Sequence, residues 1–242
     1  MKKQYSPLVM LLLVSFVFFN QTQVLAQKKE ASKNVTTVEH DIKPFTALEL
    51  KGIFNVFIQQ GSVEEVVVEA NENVHDYIIV KNEGNKLIID NENRLELFRK
   101  RKLKVFVTVN NLEDLIVTGV GNIKSQNTLK LSELELEVGG AGNVDLDIEV
   151  KRLEMEITSA GNIKLQGSAL DVEIDNQGVG NLNALKLISK KLKLEASGVG
   201  NSKVYATDEI SIKATGVGNV SYKGGAEIID MNVRGVGRVK KI

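Results

Sequence analysis

A four-residue turn returns seven times at near-constant spacing in the second half of the chain. Most copies read Gly-x-Gly-Asn, and their fourth positions, from Asn122 to Arg238, are 21, 19, 19, 20, 18 and 19 residues apart. Such a period indicates stacked repeats, and here it suits one coil of a β-solenoid. The turn positions are Gly119, Gly121, Asn122, Gly140, Gly142, Asn143, Gly161, Asn162, Gly178, Gly180, Asn181, Gly198, Gly200, Asn201, Gly216, Gly218, Asn219, Gly235 and Gly237.

Apolar residues alternate on both sides of this turn. Seven residues before the fourth position stand Leu115, Leu136, Met155, Ile174, Leu194, Ile212 and Met231, and nine before stand Leu134, Leu153, Val172, Leu192, Ile210 and Ile229. Apolar residues also prevail five residues before the fourth position and directly after it. The polar exceptions are Glu113 nine residues before, Asn176 five before and Ser202 directly after. A period of two is that of a strand with one face inside. Each coil is therefore predicted to be strand, glycine turn, strand and a further connection.

The glycines and asparagines of the turn have a structural explanation. A sharp corner in every coil requires a positive φ or a backbone too close to its neighbour for a side chain. Asparagine tolerates the left-handed region, and its amide can form a hydrogen bond with nearby backbone. It can therefore occupy one position of the same sharp turn. A phosphate-binding Gly-x-Gly loop would be followed by a helix N-terminus, whereas strands follow here.

The first half of the chain is less regular. Gly52-Ile53-Phe54-Asn55 has apolar residues at the expected positions on either side, which predicts an early coil with a degenerate turn. The regular repeats begin at about residue 113. Short β-branched runs separated by turn residues predict further strands between the two, at Val66–Glu69, Ile78–Val80, Leu87–Ile89 and Leu103–Val109.

The N-terminus predicts export. Residues 1–26 have two lysines, an apolar run and a small residue before a cleavage point, as in a signal peptide. Residues 27–37 are predicted to be a disordered leader and residues 38–242 a single solenoid domain. Because the chain has no cysteine, cysteine-linked lipid and disulfides are excluded. We expect a periplasmic, secreted or cell-surface protein without a transmembrane segment after cleavage.

Composition argues against several function classes. The 31 basic residues balance 31 acidic ones, so no net field favours nucleic acid. Tryptophan is absent and aromatic residues make up 5% of the chain, which argues against a deep carbohydrate cleft. His40 and His75 each stand beside an Asp without the spacing of a third metal ligand. We expect no metal, including calcium bound at the turns, and no cofactor.

The outward positions of the same strands carry a row of acids. The predicted register brings seven carboxylates into two adjacent rows on one exposed sheet. Toward the C-terminus Lys193 and Lys213 take the place of acids, so the charge of this face changes from negative to positive. We call this set the acidic stripe, and interpret it either as a solvated face or as a contact surface for divalent cations or a basic partner. Its members are Glu135, Glu137, Glu154, Glu156, Glu173, Asp175 and Glu195.

The chain resembles the head GIN domain family of autotransporter adhesins, common in Bacteroidetes. The resemblance rests on the Gly-x-Gly-Asn turns, on Phe54–Gly61 and on Tyr222–Gly225, and it covers about Val38–Ile242. It implies a right-handed parallel β-helix and an exported location, and it implies no catalytic residues. A translocating barrel needs at least about eight strands, and we expect no such barrel within this sequence. We therefore expect a periplasmic or released protein.

Two functions remain open. The first is a non-enzymatic adhesion, binding or scaffold module of the cell envelope, whose partner is unknown and could be a surface glycan or another envelope protein. The alternative is a polysaccharide-degrading β-helix enzyme that uses carboxylates on its outer face. Cleavage products from a polysaccharide would indicate the enzyme, and retention without products would indicate the binding module.

Overall fold

The period-two pattern folds into an all-β solenoid of about seven stacked turns, 70% strand and 3% helix. A computed structural model describes Ser32 and residues 34–92 and 103–242, so the predicted signal peptide lies outside the described residues. A 3-10 helix spans Glu72–Tyr77. The strands are β1 (Val35–His40), β2 (Ala47–Leu50), β3 (Asn55–Gln60), β4 (Glu65–Asn71), β5 (Ile78–Glu83), β6 (Lys86–Asn91), β7 (Lys104–Val109), β8 (Asp114–Val117), β9 (Val120–Ser125), β10 (Leu129–Val138), β11 (Ala141–Ile157), β12 (Ile163–Asn176), β13 (Leu182–Ala196), β14 (Ser202–Ala214), β15 (Val220–Lys223), β16 (Glu227–Val233) and β17 (Val239–Lys241).

Two parallel ladders run along the stack of coils. Ladder A contains β6, β2, β8 and β10, then the second halves of β11 to β14, and ends at β16. Ladder B contains β7, β3 and β9, then the first halves of β11 to β14, and continues into β15 and β17. The glycine turn joins ladder A to ladder B in each coil, so all its copies lie along one corner.

The core consists of the inward residues of these ladders, in the register that the sequence predicts. The row seven residues before the Asn is fully buried in six successive coils, from Leu115 through Leu194 to Ile212. Parallel pairs connect its members, as in Ile174 beside Leu194 and Leu194 beside Ile212. The row directly after the Asn is buried as well, from Ile123 to Val220.

Two polar exceptions in the apolar rows bond to each other. Asn176 and Ser202 are both buried, and the Asn176 Nδ2 donates to the Ser202 Oγ over 3.2 Å. The Asn176 Oδ1 also accepts a hydrogen bond from the Gly178 N–H over 3.2 Å. A buried polar group costs stability unless it is paired, and this pairing explains how the core tolerates both residues.

The last coil departs from the predicted register. Ile228, not Ile229, pairs with Ile210, because a register shift follows in β16 before Asp230 pairs with Ser211. The inward row is also exposed here, with Met231 at 38% and Val233 at 44%, because no described coil covers it. Equal spacing along the sequence did not predict either difference.

The N-terminal end has antiparallel strands. β1 pairs antiparallel with β4, and β4 pairs antiparallel with β7. The predicted leader was therefore too long: β1 begins at Val35, because backbone pairing with β4 orders residues 35–37. The early coil is confirmed, since β2 and β3 lie parallel to β8 and β9 and Ile53 bridges Val120.

Candidate functional site

The corner where the glycine turns stack is the most regular surface of the molecule. Gly121, Gly180, Gly200, Gly218 and Gly237 have φ between +141° and +154°. Gly142 lies outside that conformation, and there close approach is the reason for glycine: a Cβ would lie 1.7 Å from the Gly121 carbonyl oxygen. Both explanations that the sequence offered for the glycines therefore occur.

The asparagines do not use the left-handed region, which corrects the prediction. No described residue other than glycine has a positive φ. The Asn side chains instead bond to one another along the corner, each Nδ2 donating to the Oδ1 of the preceding coil over 2.8–3.3 Å. This asparagine ladder begins at Asn55 and runs to Asn219, whose Oδ1 accepts from the Arg238 N–H. We infer that asparagine recurs because it links coils.

Replacing Asn181 with Ala should lower the free energy of unfolding by about 1 kcal/mol, because it removes two rungs of the ladder. Asn181 donates to Asn162 over 3.0 Å and accepts from Asn201 over 3.1 Å. Urea denaturation would measure the change. Lys203→Ala is the control, since Lys203 is exposed two residues after Asn201 on the same strand side. Equal effects of both changes would contradict a stabilising ladder.

An aliphatic column lies beside the asparagine ladder. The second residue of each turn points outward and forms a β-bridge with its counterpart in the next coil. These bridges join Ile53 to Val120, and they join each residue of the column from Ala141 to Val236 to the next one. Val179, Val199 and Val217 are 60%, 51% and 50% exposed. A third outward column lies two residues earlier. We define the corner ribbon as these three columns over six coils: Thr118, Gly139, Thr158, Gln177, Ser197 and Thr215; Val120, Ala141, Ala160, Val179, Val199 and Val217; Asn122, Asn143, Asn162, Asn181, Asn201 and Asn219.

The acidic stripe lies where its register was predicted, on the outer side of ladder A. Glu135 pairs with Glu154 and Glu154 with Glu173 in one row. In the other row Glu137 pairs with Glu156, then come Asp175 and Glu195. The second row adjoins the corner ribbon. Whether the stripe binds anything stays a prediction.

Basic residues neutralise only part of the stripe. Lys193 lies 2.6 Å from the Glu173 carboxylate, and Lys213 lies 2.8 Å from that of Glu195. Glu137 and Glu156 form no ion pair with a described residue. No group of three or more His, Cys, Asp or Glu side chains in the described part of the chain is arranged to hold a metal ion.

The folded protein disfavours the ionised form of the Glu135 carboxyl. Loss of hydration against the sheet raises the pKa of Glu135, and the nearby acids Asp114, Glu137 and Glu154 raise it further. A carboxyl whose pKa is higher in the folded state than in the unfolded state makes its full contribution to stability below the unfolded pKa. That contribution is lost as the pH rises through the folded pKa. At neutral pH the ionised Glu135 therefore destabilises the fold.

Glu135→Gln should raise the melting temperature at pH 7, and the increase should shrink toward zero near pH 4. The gain should be below about 0.5 kcal/mol, because the side chain is exposed and water screens the repulsion. Thermal melts across this pH range would measure it. Glu133→Gln is the control, since Glu133 is an exposed acid of the same strand outside both rows. A gain independent of pH would contradict this origin.

The two histidines, His40 and His75, are half-buried. Burial lowers the pKa of His40, and the nearby His75 lowers it further. His75 bonds the Thr36 carbonyl oxygen through Nε2 over 3.2 Å. The His40 Nε2 and the His75 Nδ1 are buried without a hydrogen bond. These residues pack near β1 and the 3-10 helix, away from the glycine corner.

Two depressions lie on the outer surface of the described residues. One of about 250 Å³ lies over the acidic stripe, beside Glu135, Arg152 and Glu154. Another of about 230 Å³ lies over ladder B, beside Asp145, Asp147 and Lys164. In the described residues, no helix is long and apolar enough to cross a membrane.

Stacked parallel coils with laddered outer surfaces define a repeat protein of the β-solenoid class. The chain belongs to the family described as "Putative auto-transporter adhesin, head GIN domain", whose model matches residues 44–226. The family resemblance inferred from the sequence is thereby confirmed. No match was found among curated proteins.

Solved structures share this fold. A crystal structure titled a "putative adhesin" from Bacteroides fragilis NCTC 9343 is 27% identical, with a TM-score of 0.84 over 88% of this chain and 99% of that one. A "putative adhesin" from Parabacteroides merdae ATCC 43184 is 18% identical, with a TM-score of 0.64 over 88% and 98%. A "Putative lipid binding protein" from Parabacteroides distasonis ATCC 8503 is 20% identical, with a TM-score of 0.67 over 88% and 98%. The latter two support the fold alone.

Proposed function

We propose that this protein is an exported, non-enzymatic binding module of the cell envelope that contacts its partner through the outer surfaces of the solenoid. The observation that carries the proposal is the stack of regular outward columns along the glycine corner and ladder A. Repeat proteins commonly bind partners on such extended surfaces. Family membership and the adhesin-like structure at 27% identity support the same role.

The outer carboxylates do not favour an enzyme. Glycoside hydrolysis needs an acid and a base or nucleophile that hold a sugar between them. The carboxylates of the acidic stripe stand in rows on one sheet face, each beside its counterpart in the next coil. The stripe and the corner ribbon instead repeat the same residue types from coil to coil, which suits a contact surface.

Export is tested by fractionating the native cells with an antibody against the protein. We expect the protein in the periplasm, the envelope or the medium, with an N-terminus near Gln27. Full-length protein confined to the cytoplasm would overturn the envelope role.

Binding is tested by mixing the purified protein with purified envelope polysaccharides, with native envelope proteins and with lipid vesicles. We expect retention on one of these materials, with no shortening of any polysaccharide by size-exclusion chromatography. Shortened chains would indicate the enzyme. No retention on any material would overturn the binding role.

A further inference from the structure

The six coils of the corner ribbon are uncharged, and the coils beyond its ends carry Lys51, Arg234 and Arg238 at the same positions. None of its eighteen positions is Asp, Glu, Lys or Arg, whereas 26% of the chain is charged. The acidic stripe borders it on one side, with Glu137, Glu156 and Asp175 two residues before its first column. On the other side, two residues after the Asn column, stand Lys124 and Lys203, with Lys164 paired to Asp145 between them. A ligand on the ribbon would therefore lie between a mainly acidic row and a mainly basic one. This arrangement favours a neutral ligand over a polymer of a single charge sign.

The ribbon cannot bind an extended peptide by adding it as a strand. The Val179 N–H donates to the Ser159 carbonyl oxygen over 2.8 Å, and the Val199 N–H donates to that of Gly178 over 2.9 Å. The carbonyl oxygens of Val179 and Val199 accept from Gly161 and Gly180. Strand addition requires free backbone groups at a sheet edge. The ribbon therefore offers side chains alone.

These side chains repeat apolar and hydrogen-bonding groups at one interval. An Asn amide has two N–H groups and uses one in the asparagine ladder, so one donor per coil is left for a ligand. The aliphatic column beside it presents methyl groups, and Thr158, Ser197 and Thr215 on its other side present hydroxyls. Coils are about 4.8 Å apart, so six coils give about 24 Å of surface.

We propose that the corner ribbon binds a linear neutral polysaccharide along the solenoid axis. A sugar chain presents C–H faces and hydroxyls in regular alternation, which matches the aliphatic column between an amide column and a column in which four of the six residues carry a hydroxyl. Because the chain lacks tryptophan, each sugar gains little from stacking, and affinity grows with the number of coils in contact. This proposal rests on the binding role above and assigns its surface and ligand class.

The test uses a variant that places charge on the ribbon without disturbing the core. Val179→Lys, Val199→Glu and Val217→Lys are combined, since alternating signs avoid a repulsive column. The matched control combines Val63→Lys, Leu170→Glu and Ile188→Lys, which are 75%, 48% and 51% exposed and lie outside the ribbon. Circular dichroism and melting curves establish that both variants fold. Val199→Glu alone replaces the triple variant if that one melts early.

Binding is measured by depletion onto cellulose, chitin, mannan and a β-1,3-glucan, with polygalacturonate as the acidic polymer. We expect the native protein to bind at least one neutral polymer, the ribbon variant to bind it at least tenfold more weakly, and the control to stay within twofold of the native protein. Equal binding by the ribbon variant would overturn the proposal.

Other outcomes separate this proposal from the binding role. Binding to polygalacturonate, phospholipid vesicles or envelope protein alone would overturn the ribbon assignment and leave the binding role standing. Self-association in sedimentation velocity that the ribbon variant loses, without polymer binding, would identify the ribbon as a contact between copies and overturn the proposal. Retention on none of these materials would overturn both.

Discussion

Leu194→Asp should prevent soluble folding. Leu194 is fully buried, and its strand neighbours Ile174 and Ile212 are buried too. The substitution removes a core side chain, which costs about 2–5 kcal/mol, and places an unpaired carboxylate between apolar coils. A domain has about 5–15 kcal/mol of stability in total. We expect the variant in the insoluble fraction, or soluble but without a cooperative melting transition.

Met231→Asp is the matched control, because Met231 occupies the same row in the last coil but is 38% exposed. Its new carboxylate can remain hydrated, so the variant should stay soluble and melt within a few degrees of the native protein. Normal folding of Leu194→Asp would contradict the register of the core. Equal damage from both substitutions would contradict the difference between the central and the last coil.

The sequence predicts the central coils well because one physical rule governs them. A strand alternates its side chains between two faces, so aligning the coils on the Asn assigns every inward row from Leu115 to Ile212. The same register fixes the outward rows of the acidic stripe. Gly52-Ile53-Phe54-Asn55 was recognisable for the same reason, although only its Gly and Asn match the later turns.

The repeat could not reveal the constraints at the ends of the stack, nor the register shifts within ladder B between Lys164 and Gln166 and between Asn183 and Lys191. The register shift after Ile228 and the antiparallel pairing of β1 with β4 depend on local backbone pairing. A repeat pattern specifies what neighbouring coils share. It is silent where a coil has a neighbour on one side only.

The sequence also missed the surface that the turns create together. Within a single turn, Asn suggests a residue that tolerates the left-handed region, and the second residue carries no signal of its own. Stacking converts them into the asparagine ladder and an aliphatic column. The signal was present as Val or Ala at the second position of all seven turns, which the corner conformation does not require. Repetition at outward positions is the sign that could have revealed the corner ribbon.

Gly200→Ala should destabilise the fold by about 3 kcal/mol or more. Gly200 has a φ of +141°, which a residue with a side chain rarely adopts. An added Cβ would also lie 1.7 Å from the Gly180 carbonyl oxygen. That oxygen belongs to backbone held between adjacent coils, since the Gly180 N–H donates to the Val199 carbonyl oxygen over 2.9 Å. The corner can admit the methyl group only by separating two coils, so Gly200→Val should be worse still.

Gly225→Ala separates this effect from the general cost of replacing a glycine. Gly225 lacks a positive φ, and the nearest atom to an added Cβ lies 3.8 Å away. Its replacement should leave the melting temperature unchanged or raise it slightly, because alanine has less conformational freedom to lose on folding. Urea denaturation of both variants measures the difference. If Gly200→Ala also melts like the native protein, the glycines are only spacers. The coils would then not be packed as closely at the corner as described, and the positions of the asparagine ladder and the aliphatic column would be wrong as well.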